Sequence, residues 1–185
     1  MPADLAALLD QLEANGKAEL RLAVGLVGLY GLRPSELAVL EVRSGKGYVG
    51  HVKRNSRSLA AKGMPPRLVK PIDIASREGE GARLLQLFAS GLVKLPKSLR
   101  NQIALVEQKG KFQDVGAEFA QLLERYRPWQ TLVAQHPDLT PYSLRHGYAW
   151  RAHCCSTNQP DAPTDCCSPD GAHRGHPPQA LRPVD

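Results

Sequence analysis

Residues 18–37 read AELRLAVGLVGLYGLRPSEL, and the join inside this stretch decides the fold. From Ala18 to Gly31 the leucines and valines recur three and four apart, which predicts a helix. The apolar run Leu20–Leu32 includes Arg21 and three glycines. It is too short for a membrane span, which needs roughly 18 uninterrupted apolar residues. Pro34, three residues past Gly31, suits the first position of a new helix because its φ is already fixed.

Working outward, residues 4–14 carry the same spacing, so two packed helices are expected with Asn15-Gly16 as cap and turn between them. Residues 47–54 and 66–74 are rich in Val, Ile and Tyr and partly alternate, which predicts a β-hairpin around the loop 55–65. The helical period returns in 82–92, 98–109, 114–126 and 128–135. A last helix is expected over 140–153, with Thr140 as N-cap and Pro141 in its first turn. Its Tyr148, Ala149 and Trp150 are expected to be core contacts. The fold class is therefore mainly α with a small antiparallel β-sheet near residues 41–74.

The character changes after His153. Residues 154–185 hold six prolines, four cysteines and no Phe, Trp or Tyr. No period runs through them, and they are not expected to fold. Residues 1–153 are thus expected to form one domain, which suits a chain of 185 residues. Without a basic-then-apolar leader, a cytoplasmic location is expected.

The net charge of +6 is unevenly spread. Between Glu41 and Asp73 no acid occurs, while Arg43, Lys46, Lys53, Arg54, Arg57, Lys62, Arg67 and Lys70 are all basic. A one-sign stretch attracts polyanions, nucleic acid above all. A merely solvated basic face is the alternative.

Two segments share a character. Gly31-Leu32-Arg33-Pro34-Ser35-Glu36-Leu37 closes the opening stretch, and Thr140-Pro141-Tyr142-Ser143-Leu144-Arg145-His146-Gly147-Tyr148-Ala149 follows about a hundred residues later. Together they resemble the two arginine boxes of the tyrosine recombinase (phage integrase) family, GLRxSEL and TPHxLRHxxA. A basic hairpin between the boxes is part of that resemblance, which covers about residues 5–153. It implies the family's catalytic-domain fold and site-specific DNA recombination or integration. In that chemistry a DNA strand is cleaved and rejoined through a phosphotyrosine link, with no metal or nucleotide cofactor. Double-stranded DNA is then the expected partner, with protomers of an intact recombinase as possible companions.

Charge grows on the non-bridging phosphate oxygens during such a reaction, and guanidinium forks grip them in pairs as lysine cannot. The resemblance implies that Arg33 and Arg145 are these forks and that Glu36, one turn from Arg33, braces the site. An ordinary surface ion pair at a helix start is the alternative for Arg33 and Glu36. The family's hairpin lysine, general acid for the leaving 5′ oxygen, falls best on Lys53, with Lys62 second. Both residues could instead only neutralise backbone charge, as could Arg43, Lys46, Arg54 and Arg57. Tyr142 departs from the family's histidine; its hydroxyl can bond a phosphate oxygen but is a poor proton shuttle at neutral pH. His146 is expected to support the fold.

The family's nucleophile is missing. It should lie about nine residues after a third box close to LxGH, yet the last tyrosine here is Tyr148, and the ninth residue after Gly175-His176 is Asp185. Residues 165–185 admit a back-translation that, read one nucleotide later, spells TAARLMGHTAATHRKHYGRW. That string holds LMGH and, nine residues past its histidine, a tyrosine. An out-of-frame tail is therefore expected, and with it a chain that binds DNA but does not cleave it. The family's N-terminal helical clamp has no counterpart after Met1, so affinity is expected to be low and salt-dependent. Other readings are a non-catalytic DNA-binding regulator, a gene remnant, or a zinc-stabilised interaction module. Zinc would need Cys154, Cys155, Cys166 and Cys167 with His153, His173 or His176, but adjacent cysteine pairs are unlike the usual ligand spacing. A disulfide framework does not suit a cytoplasmic chain.

Overall fold

The structure, a computed structural model, describes residues 2–52, 65–109 and 111–156. Helices α1 (Pro2–Ala14) and α2 (Ala18–Tyr30) are joined by a short reversal. There the Lys17 amide donates to the Leu12 carbonyl at 2.8 Å and the Gly16 amide to that of Glu13 at 3.0 Å. Gly16 takes φ +64, so this pair of bonds is the left-handed cap expected of Asn15-Gly16.

Helix α2 is the centre of the molecule. Every residue from Leu20 to Tyr30 is buried, because α1, α3 (Glu80–Ser90) and α7 (Ser143–Ser156) all pack against it. All-round burial explains why its sequence is almost uniformly apolar. The one charged residue in its buried stretch Leu20–Tyr30 is Arg21, which pairs with Glu80 of α3 at 2.5 Å and Glu13 of α1 at 3.1 Å. Burial pushes the Glu80 carboxyl up, but the hydrogen bond from Arg83 and the charge of Arg21 outweigh it and leave it below its ordinary value. At the end of α2 the Tyr30 hydroxyl donates to the Gly81 carbonyl at 3.0 Å. Burial, aided by the charge of Asp73, raises its pKa to about 12. None of the described helices is long and apolar enough to cross a membrane.

After α2 come a 3₁₀ helix (Pro34–Val39) and strands β1 (Leu40–Arg43), β2 (Lys46–Val49) and β3 (Arg67–Val69). The strands form one antiparallel sheet in the order β1-β2-β3. The expected pairing of the 47–54 and 66–74 regions is present, but over fewer residues. One cause is that the Ile72 amide donates to the Leu29 carbonyl at 2.8 Å, which draws the chain after β3 onto α2. Strand β1, at the start of the 41–74 region expected to hold the sheet, is additional to the two predicted strands; it pairs with β2 across Ser44-Gly45, whose φ values of +50 and +71 make the tight hairpin turn. Helices α4 (Lys97–Lys109), α5 (Phe112–Glu124) and α6 (Arg127–Gln135) complete the core. Phe119 and Leu123 of α5 and Trp129 of α6 are buried. The described chain is thus mainly α with a small antiparallel sheet, as expected.

Helix α7 corrects two expectations. It starts at Ser143 rather than in the Thr140-Pro141 turn. Ser143 Oγ accepts the Thr140 amide at 3.0 Å and lies 3.3 Å from the Thr140 hydroxyl, so Thr140 is bonded to the serine side chain that begins the helix. Its buried or half-buried stripe is Leu144, Gly147, Tyr148 and Arg151, at helical spacing. Ala149 and Trp150 fall off that stripe and are exposed, Trp150 by 48%. They are not core contacts.

Tyr148 lies across Gly31, which ends α2 at φ +62. A Cβ there would sit 2.2 Å from the tyrosine ring. The Tyr148 hydroxyl donates to the Lys70 carbonyl at 3.0 Å, which holds the ring in place. Gly31→Ala therefore combines a left-handed penalty of about 1–2 kcal/mol with overpacking of about 1–3 kcal/mol. Urea denaturation should show a loss of about 2–5 kcal/mol; a loss below about 0.5 kcal/mol, the scale of an ordinary surface substitution, would mean the contact is not tight.

Candidate functional site

The site grows out of the Gly31 turn. Arg33 precedes the 3₁₀ helix and Pro34 occupies its first position. The Glu36 amide donates to the Arg33 carbonyl at 2.8 Å. In return the Glu36 carboxylate folds back: Oε2 accepts the Arg33 amide at 2.8 Å and Oε1 accepts Arg33 Nη1 at 3.0 Å. Glu36 is only 2% exposed. A buried anion is costly unless paired and hydrogen-bonded, so the carboxylate recruits further cations.

Two arrive from distant segments. Arg67 Nη2 of β3 donates to Glu36 Oε2 at 2.9 Å. Arg145 Nη1 of α7 lies 3.8 Å from the same oxygen and donates to the Gly31 carbonyl. The three guanidiniums stay partly open to solvent, Arg33 by 35%, Arg67 by 47% and Arg145 by 29%. Tyr142 lies close enough to Arg33 to act on its charge. Burial pulls the Arg33 pKa down, but the neighbouring Tyr142 and the charge of Glu36 more than offset it, leaving it above the ordinary arginine value.

The structure brings Arg33, Glu36, Tyr142 and Arg145 together. The description of Arg33 and Glu36 as an ordinary surface ion pair does not fit a carboxylate this buried. His146 is exposed, and its ring meets Tyr142 edge-on at 5.4 Å between centroids. This contact lies at the rim of the site.

Arg67 was not singled out by sequence reading. Strand register places it: Leu40 pairs with Val49 and Val49 with Arg67, so all three share one face of the sheet. That face is the buried one, since Leu40 and Val49 are core residues. Arg43 and Lys46 pair with each other on the opposite face and are exposed. Arg43 is engaged by Glu41 at 3.0 Å through Nε and lies over the Tyr48 ring at 5.5 Å. Those two candidate DNA contacts are therefore not on the Arg67 side of the sheet. Lys53, Arg54, Arg57 and Lys62 lie outside the described residues. Among the described residues no group of three His, Cys, Asp or Glu could hold a metal ion; Cys166, Cys167, His173 and His176 lie outside them.

Compared with protein-family models, curated proteins and solved structures, the chain matches none.

The arrangement is a carboxylate hub with three cationic spokes. Chemically it can hold an oxyanion at the solvent side of the arginines, with Tyr142 as a further hydroxyl donor. Removing the hub leaves like charges facing one another. Glu36→Ala should cost about 2–4 kcal/mol in chemical denaturation, below the ~3–5 kcal/mol of a fully buried pair because the arginines reach solvent. In 1 M salt the loss should shrink, since screening relieves the repulsion. A cost under about 0.5 kcal/mol at low salt, as for an exposed pair, would show that the arginines do not depend on Glu36.

Proposed function

We propose that this chain grips a DNA backbone phosphate with Arg33 and Arg145, and that it is a tyrosine recombinase catalytic domain by descent. The observation that carries the reading is their convergence: two arginine boxes far apart in sequence bring their guanidiniums to one buried carboxylate. The mainly helical architecture and small antiparallel sheet are compatible with that family. The class of function is site-specific DNA recombination or integration, with double-stranded DNA as partner and no metal or nucleotide needed.

In this reading Glu36 sets the directions of Arg33 and Arg145, whose remaining N–H groups bind the non-bridging oxygens. Tyr142, beside Arg33, adds a hydroxyl at the edge of the same phosphate. Within these 185 residues no tyrosine follows Tyr148. The chain as it stands is therefore proposed to hold DNA without cutting it. An out-of-frame reading of residues 154–185 remains our account of that loss, and the encoding nucleotide sequence beyond residue 153 decides it.

Fluorescence anisotropy with a labelled duplex tests the grip. Affinity should be in the range of about 10⁻⁴–10⁻⁶ M at physiological salt and fall steeply as salt rises. Arg33→Ala with Arg145→Ala should weaken it by at least about tenfold, one or two charge-assisted hydrogen bonds in size. A double variant that binds as tightly as the parent chain would sink the reading. Incubation with a nicked suicide substrate should give no covalent protein–DNA adduct; an adduct would refute the loss of cleavage.

A further inference from the structure

Charge balance distinguishes the Glu36 cluster from the other large ion-pair cluster among the described residues. At the α1–α2–α3 junction, Arg21, Arg77 and Arg83 are shared among Asp10, Glu13 and Glu80, three cations for three carboxylates. On the outer face of the sheet Arg43 has Glu41 to itself. Around Glu36 three guanidiniums face one carboxylate. The surplus is two positive charges, on side chains a third to a half exposed.

Arg67 makes the difference between a surplus of one and of two. It comes from the buried face of the sheet rather than from either arginine box, and its Nη2 and Arg145 Nη1 both lie within 3.8 Å of Glu36 Oε2. One phosphate group is wide enough to bridge nitrogens so placed, since each N–H···O contact adds its own reach of about 2.7–2.9 Å. An internal phosphodiester carries a single negative charge. A phosphate monoester carries about −1.5 to −2 at neutral pH and three strong acceptor oxygens.

We propose that Arg67 completes, with Arg33 and Arg145, a three-guanidinium receptor that prefers a phosphate monoester at a DNA strand end or nick over an internal phosphodiester. This rests on the phosphate grip described above and names its substrate class. Three forks can each address one oxygen of a terminal phosphate, and two net charges are neutralised by one ligand. Arg67 contacts the phosphate directly; it is not required to orient Arg33, whose amide and guanidinium are already fixed by Glu36.

The test compares two nicked duplexes of one sequence, one with a 5′-phosphate at the nick and one with a 5′-hydroxyl, by anisotropy at fixed ionic strength. The parent chain should bind the phosphorylated duplex about 3–10-fold more tightly, the scale of one charge-assisted contact at a partly exposed site. Arg67→Gln should bring that ratio towards one. Arg67→Lys, which keeps the charge but not the fork, should give an intermediate ratio and serves if the glutamine variant does not fold. Equal binding of both duplexes by the parent chain, or an unchanged ratio in the Arg67 variants, overturns the proposal. If the ratio is one while Arg33→Ala with Arg145→Ala still abolishes binding, the phosphate grip survives and only the preference falls. If that double variant binds both duplexes like the parent, the grip itself falls.

Discussion

The Glu36 carboxylate is the interaction on which the site depends. It is buried, so it must be paired, and the pairing gathers three arginines from the 3₁₀ helix, the sheet edge and the last helix. No other described group touches all three. Its own position follows from short-range bonding within Arg33–Glu36, where each residue's backbone serves the other. A local turn thereby organises a long-range cluster.

That turn in turn depends on how α2 ends. Helix α2 is buried on all sides, and Gly31 stops it in the left-handed conformation at the point where Tyr148 passes closest. The Gly31 carbonyl then accepts from Arg145. Packing and charge meet at a single residue: the glycine lets α7 approach, and the approach delivers the second arginine. Sequence separation between the two boxes is bridged by this contact of α7 with the end of α2.

Much of this was legible beforehand, for physical reasons that can be named. The α2 period, the Asn15-Gly16 cap and Pro34 are local signals, and local signals survive folding. Arg33, Glu36 and Arg145 stood out because the residue types sit in two recognisable boxes. Arg67 did not, because its role is set by cross-strand register and one residue's shift would turn it to the other face. The length of β3 and the start of α7 differ from expectation for similar reasons: a hydrogen bond to Leu29 diverts one, and a turn bonded between Thr140 and Ser143 precedes the other. Trp150 is expected in the core, whereas the helical phase of Leu144, Gly147 and Arg151 turns it outward.

The basic stretch between Glu41 and Asp73 also divides in a way that charge counting does not show. Arg67 turns inward to the carboxylate hub, while Arg43 and Lys46 project from the other side of the sheet. The hub, and not the outer sheet face, is therefore the proposed place where a phosphate is held. A crystal structure of the chain with a short duplex measures this directly. It should show one phosphate within hydrogen-bonding distance of both Arg33 and Arg145. Phosphates contacting only Arg43 and Lys46, with the guanidiniums around Glu36 facing solvent, would contradict it.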